Sequence, residues 1–516
     1  MATVDAVARV ATTTRDGATR ATLVLGDGAR VVRVEDVVRV EVRRGGGDDD
    51  ATRDDDDDDD GGATLRVTAI APHRAPPRMT RRRSRRKLRT HETACATATV
   101  AREARTRCAR ACGLERDGAR AATRGEREAR RRVLVIVNPR SGRGEGVKIW
   151  ETKARAVFEA ANIECETRTT KARGEATDVA RGLDASLYDG IVAVGGDGTV
   201  AELFQGLSER EDREEIYAKM PIGIVPAGSG NALCKSIQHA GGEPCDPVSC
   251  ALTIARWRTR ALDRSEVRFR DSKTASGWGD DSKVTHSLLS TSWGFFSDVD
   301  IESERFRFLG GARFTLQAIV RILARRKYRC ELLYETTEEG EAYNAQHCDG
   351  PHGEPVSGRP GWRRVAGDVL GLWALNVPWG TETTLAAPHA KFDDGSVDVV
   401  LVNVTNRKNM LKLLLDFDAG DHARNRAVRY IKAKSFEIYP GTAAAAAGTA
   451  AAAAAIVDPS SETNASAPGG GGYIAVDGEV LASRRFRGAA AAPFPYGPFR
   501  CDVVRAACAV FAPPRA

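Results

Sequence analysis

The chain has 516 residues, enough for two or three domains with a large buried core. Its 77 Lys and Arg against 70 Asp and Glu give a formal charge of +7, too mild to be a nucleic-acid signature by itself. No run approaches the roughly eighteen strongly apolar residues of a membrane span, and none resembles a signal peptide. The 11 cysteines are scattered without a CxxC, which predicts free thiols in a reducing compartment rather than a disulfide framework or a zinc site. Neither Cys108 with Cys112 nor His347, Cys348 and His352 supplies a zinc ligand set, so no metal-ligating residues are assigned. The expectation is a cytoplasmic protein, at most peripherally membrane-associated, with no nucleic-acid partner.

Residues 1–130 form a poorly defined amino-terminal region. Segments 22–25, 31–42 and 64–70 are β-branched and apolar and predict a small β-meander, whereas 71–130, rich in Arg, Ala and Thr, predicts linker. An acidic run at 54–60 and a basic cluster at 81–89 (RRRSRRKLR) read as solvated segments; the basic one is also suited to anionic lipid headgroups.

The pattern sharpens over 131–256. Strands are predicted at 133–137 (VLVIV), 163–169, 191–194 and 221–225, and helices at 147–161, 175–183, 199–207 and from about 231. That alternation predicts a mainly parallel, doubly wound sheet. Residues 257–516 are β-rich, with strands predicted at 262–270, 287–296, 370–377, 396–404, 435–439, 473–476 and 502–510. One helix, at 312–326, carries Leu316, Ile319, Val320 and Leu323 on a common face. This half reads as a β-sandwich packed on the first domain. Residues 335–367 read as an irregular insert and the alanine tract 443–457 as a surface loop between two strands.

Three glycine-rich turns follow strands of the parallel sheet: 138–144 (NPRSGRG), 195–198 (GGDG) and 226–231 (PAGSGN). Ligands of such sheets bind outside the carboxyl ends of the strands, so the three turns should converge on one site. No GxxxxGK[ST], no helix-opening GxGxxG and no HRD or DFG occurs, which excludes a Walker A loop, a dinucleotide fingerprint and a protein kinase. A nucleoside triphosphate held by three turns remains. Asn138 and Arg140 can hold phosphate or ribose oxygens, Gly228, Ser229 and Gly230 offer backbone N–H groups, and Asp197 can meet an incoming hydroxyl.

The segments VNPRSGRG (137–144), VGGDGTVAE (194–202) and PAGSGNAL (226–233) resemble the catalytic region of the diacylglycerol kinase-like lipid kinases. Residues 293–316 (WGFFSDVDIESERFRFLGGARFTL) look specifically like the lipid-recognition segment of sphingosine kinases, and 476–479 (VDGE) like their carboxyl-terminal motif. The resemblance implies an α/β + β fold, a doubly wound nucleotide-binding domain followed by a β-sandwich lipid-binding domain. It also implies transfer of the γ-phosphate of ATP, with Mg²⁺, to the primary hydroxyl of a sphingoid base. Carried over residue by residue, Asp197 is the catalytic base. The ATP contacts are Asn138, Pro139, Arg140, Thr170, Gly195, Gly196, Gly198, Thr199, Glu202, Gly228, Ser229 and Gly230. Arg307 and Arg313 reach the phosphates from the second domain, and Asp477, Gly478 and Glu479 close the site. Asp300 matches the residue that binds the polar head of the lipid, with Ser290 nearby.

The chemistry agrees with these roles. An aliphatic hydroxyl needs a carboxylate to orient it and accept its proton. A sphingoid base carries an ammonium that Asp300 can pair, which diacylglycerol lacks. Without the resemblance, Asp298, Asp300, Glu302 and Glu304 would read as a solvated strand edge. Thr199-Val200, after the glycines, looks more like diacylglycerol kinases than sphingosine kinases. The alternatives are a ceramide or diacylglycerol kinase of the same family, an NAD kinase, and a non-catalytic lipid-binding scaffold.

Overall fold

The computed structural model describes residues 131–514 except 272, 275–276, 281–282, 310–311, 325, 348–352, 442–471 and 484–491, together with six strands nearer the amino terminus. Those strands form two three-stranded antiparallel sheets. One contains β1 (Ala8–Arg15), β2 (Ala18–Leu25) and β3 (Arg30–Arg33); the other contains β4 (Val37–Arg44), β5 (Ala63–Pro72) and β6 (Arg86–Cys95). The predicted 31–42 strand is therefore split between two sheets. Part of the predicted linker is strand β6, which pairs Lys87 with Ala71 and Arg89 with Ala69. Its high charge masked the alternation that marks a strand. The acidic run 54–60 lies outside the described residues.

Strands β7 (Arg132–Val137), β8 (Glu164–Thr169), β9 (Gly190–Gly195) and β10 (Ile222–Pro226) make a parallel sheet in the order β8-β7-β9-β10. Side chains alternate across a strand, so the run VLVIV serves two cores. Val133, Val135 and Val137 pack with Trp150 and Phe158, beneath α1 (Gly146–Ile149), a π-helical turn (Trp150–Ala154) and α2 (Arg155–Ala160). Leu134 and Ile136 pack on the other face, against the layer of α3 (Glu175–Arg181), α4 (Asp197–Ser208), α5 (Arg213–Lys219) and α6 (Ala232–His239). Helix α7 (Pro247–Ala255) completes the first layer through Ala251 and Ile254.

The second half begins with β11 (Thr259–Phe269), which runs antiparallel to β22 (Phe499–Phe511) from Thr259 opposite Phe511 to Phe269 opposite Phe499. At its far end β22 reaches the edge of the parallel sheet, where Val510 lies beside Ile222 of β10. It also pairs with β19 (Ser435–Pro440), so one strand belongs to both halves. From β19 the sheet continues through β14 (Tyr328–Glu335), β16 (Trp362–Leu375), β13 (Ser290–Gly294), β20 (Tyr473–Val476) and β21 (Glu479–Ser483). Strands β17 (Val397–Asn403) and β18 (Val428–Ala433) extend from β16, and β12 (Thr285–Ser287) flanks β11.

Two predicted elements change. The strand expected at 287–296 ends at Gly294, whose φ of +75° turns the chain into helix α8 (Phe295–Ser303). A Cβ there would stand 2.9 Å from the Leu370 carbonyl oxygen, so both the conformation and the close approach call for glycine. The acidic residues 298–304 consequently lie on a helix and the 3₁₀ turn after it (Glu304–Leu309), not on a strand edge. Second, the expected irregular insert 335–367 contains α10 (Glu338–His347), β15 (Glu354–Pro355) and the start of β16. Helix α10 shows no apolar stripe because a polar residue anchors it. Asn344 accepts from the Lys432 N–H at 2.9 Å and donates to the Lys432 carbonyl at 3.2 Å. The alanine tract between β19 and β20 lies outside the described residues. Among the described residues no helix is long and apolar enough to cross a membrane.

Phe511 ties β22 to the parallel sheet: its ring lies against the bare backbone of Gly190 and Gly223 and meets Trp257 edge-on at 4.8 Å. Phe511→Ala is expected to destabilise the protein by roughly 3–5 kcal/mol, as for other fully buried aromatic rings. Urea unfolding followed by fluorescence measures this; a loss below ~1 kcal/mol would show that the ring is not a tie.

Candidate active site

The three glycine-rich turns meet backbone to backbone at the carboxyl edge of the parallel sheet. A Cβ on Gly196 would stand 2.6 Å from the Gly230 carbonyl oxygen, one on Gly228 2.3 Å from the Gly196 Cα, and one on Gly142 2.6 Å from the Ala227 carbonyl oxygen. No side chain fits in any of these gaps, so glycine is what lets the turns converge. Asn138 bridges two of them: its amide donates to Thr199 Oγ1 at 3.1 Å and its oxygen accepts the Arg140 N–H at 3.0 Å.

Asp197 opens α4 and points at the start of α6. Its two oxygens accept the N–H groups of Ala232 (2.8 Å) and Leu233 (3.1 Å). The helix start therefore holds the aspartate, and among the described residues the Ser229 and Gly230 N–H groups make no hydrogen bond to protein. These are donors of the kind that hold phosphate. Burial pushes Asp197 up to about 6 despite the two N–H bonds, and the charges of Asp477 and Glu382 add to the rise.

A cavity of about 1150 Å³ opens from these turns into the second half. Every predicted site residue lines it except Gly195 and Arg307. Gly195 is the last residue of β9, packed under the Thr199 side chain. Arg307 falls in the 3₁₀ turn after α8, and its side chain is outside the described residues. At the polar end, Arg140, Lys171, Arg173, Arg313, Glu202, Glu304 and Glu479 join the turns; toward the other end the walls are Phe295, Phe296, Val299, Phe314, Leu370, Trp373, Val402, Met410, Leu413 and Phe417. The apolar walls come from α8, from α9 (Ala312–Ala324), from β16 and β17, and from α11 (Arg407–Asp416) and its carboxyl end.

Asp300 stands where the two ends meet. Among the described residues its carboxylate accepts no hydrogen bond. Burial raises it to about 7, Arg313 opposes the rise, and Glu304, Asp197 and Glu479 reinforce it. The other acidic residues of this segment are engaged. Asp298 accepts from Arg326 at 2.7 Å and from the Tyr328 hydroxyl, Glu302 accepts from Gln317 at 2.8 Å and pairs with Arg321, and Glu304 pairs with Arg313. Arg313, predicted to reach phosphate, is thus ion-paired at the cavity wall.

Asp477 has a structural task that its motif does not announce. At φ +49° it places its carboxylate under the turn between β12 and β13. There it accepts from Ser287 Oγ (2.6 Å) and from the N–H groups of Leu288 (3.0 Å), Leu289 (3.1 Å) and Ser290 (2.9 Å). It is the brace that positions Ser290. Trp293, at the head of segment 293–316, is core: its N–H donates to the Tyr496 hydroxyl at 2.8 Å and its ring packs beside Tyr328.

Sequence reasoning missed residues that close the cleft from opposite halves. Arg173, after β8, pairs with Glu479 of β21, and Asn231 donates to Glu382. Asn231 was visible inside PAGSGN; Arg173 and Glu382 belong to no motif and are brought in only by the packing of the halves.

Asp477 and Glu382 thus add negative charge beside Asp197, where burial already disfavours it.

The diacylglycerol kinase catalytic domain family matches residues 132–267, and the YegS C-terminal NAD kinase beta sandwich-like domain family matches 376–460. Sphingosine kinase 1 of Arabidopsis thaliana is 36% identical over 325 residues, covering 60% of this chain and 64% of that protein. Sphingosine kinase 1 of Homo sapiens is 32% identical over 330 residues, covering 60% of this chain and 82% of the human protein. The chain thus spans just under two thirds of the Arabidopsis relative's length. A putative diacylglycerol kinase from Bacillus anthracis aligns with 75% of this chain and 99% of its own, at 18% identity and a TM-score of 0.48. With its α/β catalytic half, its β-sandwich half and this kinship to the human and plant proteins, the chain belongs to the sphingosine kinase family within the lipid kinases that share the diacylglycerol kinase catalytic domain.

Proposed function

We propose that this protein transfers the γ-phosphate of ATP to the primary hydroxyl of a sphingoid base. The observation that carries the substrate assignment is Asp300, a carboxylate with no hydrogen-bond donor among the described residues, set between an apolar lobe and the phosphate turns. A cation entering with an apolar tail satisfies that charge; an uncharged diacylglycerol or a ceramide amide leaves it buried and unpaired, which is costly. The apolar lobe has no use in an NAD kinase, whose substrate is polar throughout.

In this reading the Ser229 and Gly230 N–H groups, with Asn138 and Arg140, hold the phosphates, and Arg313 turns from Glu304 toward them. Bound Mg²⁺ would neutralise charge on the phosphate oxygens, the dominant need in phosphoryl transfer. The tail fills the lobe between α8, α9 and α11. Asp300 pairs the ammonium and so fixes the adjoining hydroxyl near Asp197. Asp197, held by two N–H groups and raised to about 6, stays ionised near neutral pH yet basic enough to take the hydroxyl proton.

The same reading includes peripheral membrane association. Helix α9 buries its polar face, Arg313, Gln317 and Arg321, and leaves Leu316, Ile319, Val320 and Leu323 outside. Ile322 packs with Met410 and Leu413 of α11, which exposes Leu411 and Leu415 beside them. Leu323 is 63% exposed and Leu415 68%, and Leu415 also lines the cavity, so the apolar surface is continuous with the lipid lobe. A lipid bilayer is the occupant that such continuity fits, because substrate can pass from it without crossing water.

Three outcomes test this. Asp197→Asn should lower kcat by about 10²–10⁴ with ATP binding retained, since the amide keeps one acceptor for α6 but no basicity. Calorimetric ATP binding beside a turnover assay decides it, and normal turnover by the folded variant removes Asp197 from the chemistry.

Asp300→Asn should raise the KM for sphingosine strongly and leave the KM for ATP nearly unchanged. Asp300 and Asp197 must both be charged, so kcat/KM for sphingosine should fall as pH drops below about 7 and fall more steeply below about 6. Asp300→Asn should erase the upper limb only. Equal loss on charged and uncharged lipids would make Asp300 structural, and a wild-type preference for diacylglycerol would overturn the substrate.

Replacing Leu316 and Leu323 together by Glu should abolish sedimentation with phosphatidylserine-containing vesicles. Turnover of detergent-dispersed sphingosine should stay within about twofold, because surface changes of this kind cost little stability. Undiminished vesicle binding would place the membrane contact elsewhere.

A further inference from the structure

Outside the lipid-kinase cavity the described residues hold one cluster of soft donor atoms. Cys234 on α6, Cys245 on the turn after it and Cys250 on α7 bring their sulfurs within 4.8 Å of one another, and the Cys234 and Cys250 sulfurs are 3.4 Å apart. None of the three is in a disulfide. Their spacing of eleven and five residues matches no metal motif. The turn at 240–246 creates the cluster: Gly242, at φ +66°, folds the chain back, and Asp246 caps α7 through the N–H groups of Val248 and Ser249.

The surroundings choose the ligand. Cys234 and Cys250 are buried in the apolar core with Leu233, Ile237 and Ile224, and Cys245 is half-buried at its edge. Hydrogen bonding to Cys245 and Cys250, and then burial, raises the Cys234 thiol well above its ordinary value; burial raises Cys250. A divalent ion held by three thiolates would leave a net negative charge in this core, which is expensive. A trivalent thiophilic centre leaves none.

We propose that Cys234, Cys245 and Cys250 form a three-sulfur binding site for trivalent arsenic of the arsenite class. The reaction is As(OH)₃ + 3 R–SH → As(SR)₃ + 3 H₂O. Each As–O bond breaks as an As–S bond forms, each thiol proton leaves with a hydroxide as water, and arsenic stays trivalent, so no oxidant or reductant is needed. Half-buried Cys245 supplies the first sulfur, and the other two follow as the turn opens.

Occupation should reach the kinase centre. Cys234 directly follows Ala232 and Leu233, whose N–H groups hold Asp197. Drawing three sulfurs onto one atom shifts the first turn of α6 and with it the aspartate and the Gly228–Gly230 loop. This coupling rests on the lipid-kinase reading; the site itself does not.

The test uses the purified full-length chain, reduced and then incubated with inorganic arsenite. Intact mass should rise by one arsenic less three hydrogens, and arsenic X-ray absorption should show three sulfur neighbours and no oxygen. Cys245→Ser, at the edge of the core, should fold and lose affinity by about tenfold or more, as expected when one link of a chelate is removed. Cys250→Ala should do the same, with circular dichroism confirming that each variant is folded. An equal adduct on Cys245→Ser, an oxygen neighbour, or no adduct on the wild type overturns the proposal. Zn²⁺ should bind more weakly than arsenite at pH 7; tighter Zn²⁺ binding would overturn the charge argument. Arsenite should slow sphingosine phosphorylation by the wild type and spare Cys245→Ser. An adduct with unchanged turnover would overturn the coupling alone, and the mass and absorption results stand whatever the substrate proves to be.

Discussion

Two N–H groups at the start of α6 hold one carboxylate, and the polar half of the cavity is organised around that contact. Asp197 leaves the sheet on the β9 turn, while Ala232 and Leu233 begin the helix after β10. Joining them closes GGDG onto PAGSGN, and the gap that remains admits no Cβ at Gly196 or Gly228. An aspartate caps a helix start well because the free N–H groups there need acceptors and the helix dipole favours negative charge. That stabilisation offsets part of the burial that raises Asp197, leaving a group that is ionised near neutrality and still basic. The residue proposed as the base is therefore also the one that joins the two turns.

A second constraint brings the apolar lobe to those turns. Strand β22 pairs with β11 and β19 in the second half and touches β10 in the first, so the halves share one continuous sheet instead of a loose linker. From that frame the turn at Gly294 launches α8 toward the first half, and Asp477 braces the 287–290 turn with four hydrogen bonds. The ion pair of Arg173 with Glu479 and the hydrogen bond of Asn231 to Glu382 then close the cleft across the halves. The result is an acidic chamber in which Asp197 raises the proton affinity of Asp300, and Asp477 and Glu382 raise that of Asp197. It is more hospitable to ligands that bring positive charge than to neutral ones.

Helix α9 shows why an apolar stripe does not by itself say where a helix face points. Leu316, Ile319, Val320 and Leu323 form the stripe, yet the buried face holds Arg313, Gln317 and Arg321, because the acidic residues Glu304 and Glu302 beneath need partners. Ion pairing inside the site took the inner face, and the apolar stripe was left to the outside. Helix α10 is the complementary case, an element with no stripe that is held by Asn344 on the backbone of β18.

The sequence by itself determined the parallel sheet, the three glycine-rich turns, the β-rich second half and most of the residues around the cavity. Those features are local: a buried strand must be continuously apolar, and a turn against backbone must be glycine, so each is written where it acts. Only the tertiary structure decided that the 298–304 acids lie on a helix, that Asp298 is paired while Asp300 is not, and that Asp477 braces a turn 187–190 residues away. It also decided that Arg173 and Glu382 face the site and that three cysteines without a motif share one pocket of the core. Each of these depends on which distant charge or sulfur becomes a neighbour, and that is set by how sheets and helices pack, not by spacing along the chain.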